Sequence, residues 1–514
     1  MATRPSPLGG DRRGHVALVV VLALLALAGY ANATVRHRRA SAANAPTRAV
    51  GQVFLSGEAS SSAWYCPGPL PLDVGKDTAA VELANVSGRA VRGELDLVTD
   101  RGLNLVHQVR LAPHSTLRQA FPTPKRPGWG AASVLLDSRG VGVTEIEHGS
   151  AGPVATACTT SVGTNATVAG GATTKAANIA LALYDPGATP AVANVSFTTS
   201  SGSNVAPPAF QGLAIGAGQL IVENVGEYLP EQQAVTSFVA SSGGRIVVGE
   251  MDSDVLQHAR TLAFSSGIAT AARDWYLPPV PSGGAATLSL LVVNTSTRAA
   301  EVAVHTASTS GFLGAATTVR QVAAGATAQF NLARDPSPGA LRWGHVSVTA
   351  GDGVVVERSL VIPRATAVPA LLSAPPKGAA RARSAYQLPP TVPAGESSEE
   401  GTPLLARGWL LGGGESDASA GEVVTFANPG DAPLTVHLSA LGADQRTRAS
   451  LARVARIGLA PHSVLALDLS GVVAGAPALT LVARADGSFE CGADLYARGK
   501  GSVGFNSSAA IPLA

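Results

Sequence analysis

The strongest constraint on how this 514-residue chain folds is that most of it is one pattern written four times. An apolar run ending in a turn-forming Asx residue recurs as VELAN at Asn85, ALALYDP at Asp185, LLVVN at Asn294 and VTFANP at Asn428. Trp64, Asn165, Trp275 and Trp409 stand 21, 20, 19 and 19 residues before those anchors. A β-rich run with a glutamate follows each anchor, and Glu145, Glu250, Glu357 and Glu490 lie 60, 65, 63 and 62 residues downstream. Between anchor and glutamate comes a turn with alternating apolar residues after it (LAPHSTL, IGAGQLIV, VAAGATAQF, LAPHSVLAL). Spacings kept across four segments identify a duplicated unit of roughly 100 residues.

Within the third copy the short runs WYLP, LSLLVVN, AEVAVHTA, TTVRQVAA, TAQFNLA, HVSVTA and VVVERSLV are separated by turn residues, and several alternate with period two. About seven strands in about 100 residues is the arithmetic of a β-sandwich, whereas a propeller blade needs only about 45 residues. The expected fold class is therefore all-β, with tandem immunoglobulin-like or fibronectin-like sandwich modules at 56–155, 156–262, 263–363 and 408–514. Residues 364–407, rich in Pro and Ala, read as a linker or insertion.

Ahead of the modules lies a membrane signal. Arg4, Arg12 and Arg13 fall in a short N-terminus, residues 1–15, and no charge occurs from Val16 to Val35. At 1.5 Å per residue, 16–35 is long enough to cross a bilayer as a helix. Ala31-Asn32-Ala33 fits a signal-peptidase site, which would secrete the body after cleavage near Ala33. Arg36, His37, Arg38 and Arg39 suit the flank of an uncleaved single-pass anchor equally well. Both readings place the body outside the cytoplasm, behind a small-residue stalk at 36–55.

Hydrophobic residues make up 46% of the chain and charged ones 14%, which excludes global disorder. The net charge of +2 with no basic block excludes the electrostatic footprint of a nucleic-acid binder. Ten dispersed histidines, without H-E-x-x-H, G-x-S-x-G or a P-loop, supply no catalytic or metal-ligand motif, so no enzyme, cofactor or metal is expected. The tryptophans at 64, 275 and 409 suit either a carbohydrate platform or, as the preferred reading, large core residues. The glutamates at 145, 250, 357 and 490 suit either a shared cation- or sugar-binding face or, again preferred, an architectural role. In the latter they accept backbone hydrogen bonds or pair with an arginine such as Arg245 or Arg358. Cys66 and Cys158, 92 residues apart, form the candidate disulfide, stapling the first module to the second and leaving Cys491 unpaired. Three cysteines allow three pairings, and spacing does not choose among them. The expected role is a non-enzymatic cell-envelope protein whose partners are envelope proteins or cell-wall glycans.

The second copy, from CTTSVGTNATVAGG at Cys158 through ALALYDP to GRIVVGE, together with WYCPG at Trp64 to Gly68, resembles exported actinobacterial proteins of the domain-of-unknown-function 5719 family. The family pattern joins a Cys, a Trp-containing strand, a G-x-T turn and an L-x-N-P anchor. Here Asn165 replaces the Trp and Asp185 replaces the anchor Asn. The resemblance covers most of residues 60–514. It implies an N-terminal membrane segment and an envelope location, and it brings no activity or ligand.

Overall fold

The computed structural model describes residues 61–72, 78–123, 125–200, 202, 204–308, 316–332, 340–365, 392–473, 475–499 and 502–513, all within one compact unit, Val50–Ala514. The N-terminal residues 1–15, the apolar span 16–35, the cleavage site near Ala33 and the stalk 36–55 lie outside the described residues. No helix among the described residues is long and apolar enough to cross a membrane.

Each module is organised around the same local device. The Nδ2 of Asn85 donates to the carbonyls of Arg89 and Ala112, both at 2.8 Å, while its Oδ1 accepts from the Ser87 N–H at 3.0 Å. Asn294 repeats this with Arg298, Val322 and Ser296, and Asn428 with Ala432, Ala460 and Gly430. These are Asx turns whose side chain also ties the turn to the strand that returns. Asp185 keeps only the accepting half, from the Gly187 N–H at 2.8 Å, because a carboxylate has no N–H to donate.

Around each anchor the chain lays down the same eight-strand antiparallel pattern in two sheets; module two splits its fourth strand into Asn204–Val205 and Leu213–Ile215, and module four adds Ile511–Leu513 beside its first strand. Strand order is first–sixth–third–fourth in one sheet and fifth–second–seventh–eighth in the other, in all four modules. In the first module the eight strands are Ser62–Leu72, Thr78–Asn85, Val91–Thr99, Asn104–Leu111, Ser115–Ala120, Gly128–Leu136, Val141–Gly149 and Gly152–Ala157. In the fourth, the sixth and seventh strands are one ribbon, Ala476–Ala497, that serves both sheets. All seven runs expected in the third copy are strands. The eighth, Gly395–Glu400, comes from the stretch read as a linker and pairs with Val355–Ile362. Composition does not mark this strand, since GESSEE is polar and its strand character comes from pairing. Here the first strand pairs with the sixth and the second with the seventh, whereas an immunoglobulin domain places its sixth and seventh strands side by side in one sheet. What the modules share with such domains is two sheets packed about one core.

That core is filled at one point by Trp64, Trp275 and Trp409, each at most 1% exposed, on the first strands of modules one, three and four. The Nε1 of Trp275 donates to the Val354 carbonyl at 2.8 Å, and that of Trp409 to the Phe489 carbonyl at 2.9 Å. Module two, with Asn165 on its first strand, packs Phe197 edge-on against Phe210 instead.

The two sheets have different surroundings, and their burial shows it. The third strand of module two, Ala191–Thr199, alternates buried and more exposed residues along its length. Second strands such as Thr78–Asn85 and Ala420–Asn428 are buried on both faces. Their second cover is the neighbouring module. Pairing is interrupted in the first strands between Cys66 and Leu70, between Leu277 and Val280 and between Leu411 and Gly414. These kinks press on the seventh strand of the next module, Gly68 on Gly249 and Pro278 on Gly492, and Gly412 of module four reaches Thr144 of module one. A Cβ on Gly492 would lie 2.6 Å from the Pro278 Cβ, so only glycine allows the approach. Leu410, Ile511 and Leu513 of module four join the core of module one, which closes the series of modules on itself. The eighth strands meet in the middle: Ser397 and Ser507 exchange hydrogen bonds, and the Ala155 N–H donates to Asn506 at 3.3 Å.

Candidate functional site

The seventh strands carry the recurring glutamates, all four of them buried. Their registers differ despite the similar chain spacing. Glu145 opposes Val81 and Glu250 opposes Leu181, each four residues before its anchor. Glu357 opposes Leu291, three before, and Glu490 opposes Ala427, one before. Because side chains alternate along a strand, the first two share one face and the last two take the other. Glu145 and Glu250 therefore stay with their own modules, accepting from the Gly68 N–H at 3.2 Å and the Ser237 hydroxyl at 3.1 Å. Glu357 turns to module two and accepts from the Ala169 N–H at 2.8 Å and from the Ser398 hydroxyl.

Acids that sequence reading missed complete the centre. Glu396, Glu399 and Glu400 arrive on the eighth strand of module three, Asp252 and Asp494 on seventh strands, and Glu82 and Glu422 on second strands. Arg358, considered beside Glu357, instead pairs with Glu399 and donates to the Pro278 carbonyl and, at 3.0 Å, to the Ser507 hydroxyl. Glu82 bridges modules one and four, accepting from the Gly413 N–H at 3.0 Å and the Thr480 hydroxyl at 2.6 Å, and it pairs with Arg118 at 3.1 Å. The signal that would have found Glu82 and Glu422 is a lone acid inside an otherwise apolar second strand, TAAVELAN and AGEVVTFAN, a run that marks a sheet covered on both sides.

Burial sets the chemistry of the centre. It pushes the carboxyls of Glu145 and Glu422 up to about 8 and those of Asp252, Glu400 and Asp494 up to about 7. Glu250, Glu357, Glu396 and Glu490 are raised well above the usual range, again first by burial. Arg358 is drawn down to about 10 by the same cause. Against these acids stand two buried arginines among the described residues, Arg342 and Arg358. At neutral pH much of the centre holds protons, because a lone buried carboxylate is too costly to charge.

Cys66 and Cys158 are joined by a disulfide. It closes the seam of module one, where Tyr65 and Thr159 form a bridge repeated by Tyr276 and Thr402 in module three, so it does not staple two modules together as expected. Cys66, Cys158 and Glu145 are the one group of three metal-ligand side chains of this kind that converge among the described residues, and the disulfide removes both thiolates. Cys491 is buried with its thiol pushed well up, which makes it inert.

No curated protein matches the sequence. Two solved structures show slight likeness. A Thermotoga maritima protein (crystal structure of Thermotoga maritima 1070) is 15% identical, with 19% of this chain and 91% of that one covered and a TM-score of 0.16. The tetra-tandem repeat in the extending region of a large adhesion protein is 10% identical, with 83% and 93% covered and a TM-score of 0.11. Neither likeness carries an argument about this chain. The model of the family described as "Family of unknown function (DUF5719)" matches residues 137–389, and that match supports placing the chain in this family.

Proposed function

We propose that the protein is a non-enzymatic component of the cell envelope, in which a body of four mutually packed β-sandwich modules is held outside the cytoplasm and engages envelope partners through its outer sheets and end loops. The observation that carries this reading is where the reactive groups go. The recurring acids, Arg358 and all three cysteines are buried, and Glu82, Glu357 and Arg358 are engaged in joining modules. A disulfide suits an oxidising compartment. Outer strands and turns are then what remains for recognition. A glycan platform built on Trp64, Trp275 and Trp409 has no support, since stacking on a sugar needs an exposed ring face and these indoles are buried.

Two measurements test the proposal. Added protease is expected to cut the body in intact cells whose outer barrier has been permeabilised, and a body that becomes cleavable only after lysis overturns the location. Screening the purified protein against ester, glycoside, peptide and phosphate substrates is expected to give no turnover. Turnover abolished by Glu145→Gln or Glu490→Gln would overturn the non-enzymatic reading.

A further inference from the structure

One cavity of about 150 Å³ lies between modules two and three, where carboxylates face hydroxyls and the described residues of the wall include no Lys, Arg or His. From module three the wall is a cross-strand row. Ser289 opposes Ser359, and Ser359 opposes Ser398, which puts three hydroxyls in line across the second, seventh and eighth strands. Glu396, two residues before Ser398, shares its face of the eighth strand. From module two comes Asp252, on the seventh strand. Both acids are more than nine-tenths buried, and each has an oxygen without a hydrogen-bond partner among the described residues, Oδ1 of Asp252 and Oε1 of Glu396. Burial and the neighbouring Asp252 and Asp254, which also lines the cavity, raise Glu396, and no cation among the described residues of the wall offsets them.

We propose that this cavity is a divalent-cation site of the calcium class, with Asp252 and Glu396 as its charged ligands and the hydroxyls of Ser289, Ser359 and Ser398 as neutral ones, tying module two to module three. The donor set is all oxygen, which suits a hard cation and disfavours zinc or copper. Calcium takes six to eight oxygens in flexible geometry, so two carboxylates, hydroxyls and water filling the remaining space are sufficient. Asp252 and Glu396 are 144 positions apart, so no motif spacing in the chain announces the site.

The test uses the full chain, purified in detergent and stripped with chelator, titrated with Ca²⁺ by calorimetry and followed by thermal unfolding. The expected result is saturable binding and a rise in Tm. Asp252→Asn and Glu396→Gln should each weaken binding by at least about tenfold, while Asp352→Asn, at an exposed surface pair with Arg298, leaves it unchanged. Should either core variant fail to fold, the double variant Ser289→Ala/Ser359→Ala, which keeps both charges, decides: weaker binding supports the site, and unchanged binding overturns it. Absence of saturable binding to the wild type at millimolar Ca²⁺, or binding untouched by D252N and E396Q, also overturns it.

Discussion

Glutamine in place of Glu145 removes a titration that the fold has moved far from its ordinary range. Folded, the carboxyl keeps its proton up to about 8, against 4.5 for the unperturbed group. At about 1.4 kcal/mol per pK unit, that difference amounts to about 5 kcal/mol. The sign follows from which state binds the proton more tightly. The folded state does, so the group's contribution is fully present below pH 4.5 and is lost as pH rises toward 8. An amide is neutral in both states and loses nothing, and its oxygen still accepts from the Gly68 N–H. E145Q is therefore expected to match the wild type near pH 4.5, exceed it by about 3 kcal/mol at pH 7 and by about 5 kcal/mol above pH 8. Urea unfolding at intervals from pH 4.5 to 9, followed by tryptophan fluorescence, measures this, and an unchanged m-value shows that only stability moved. A variant that is less stable than the wild type at pH 8, or one whose pH dependence parallels it, would refute the reasoning.

Two further predictions concern Arg358 and the Asp185 anchor. Arg358→Met leaves Glu399 buried without its partner and should cost about 3–5 kcal/mol at neutral pH, largely recovered in R358M/E399Q; chemical unfolding of the single and double variants checks both. Asp185→Asn supplies the donor that the other three anchors use, and removes a carboxyl whose acidity burial already opposes. It should stabilise module two by about 1 kcal/mol, seen as a higher unfolding midpoint and slower amide exchange in the 185–189 turn.

The features legible in the sequence are those decided within a few residues. The Asx anchors at 85, 294 and 428 are turns whose donors and acceptors lie within four positions, apart from one bond each to a returning strand. Alternation revealed half-buried strands because a strand's two faces are read directly by successive residues. The tryptophans at 64, 275 and 409 were legible as large core residues because they recur at one place in the repeated unit. The glutamates were legible as recurring but not as equivalent. Chain spacing counts loop residues with strand residues, and a slip of one position turns a side chain to the other face. Thus Glu357 reaches Ala169 of module two while Glu145 stays with Gly68 of its own module.

By itself the sequence determined a fourfold β module, its turns, its core tryptophans and its wealth of acids at repeated places. Tertiary structure alone decided that GESSEE is a strand, that Cys66 and Cys158 close one module, that the fourth module returns to the first, and which faces and module boundaries the buried acids occupy. The division has a physical reason. Turn chemistry and strand alternation are paid out residue by residue along the chain, whereas pairing partners, register and the second cover of a sheet are chosen among segments hundreds of positions apart, where shape and burial, not local pattern, select the match.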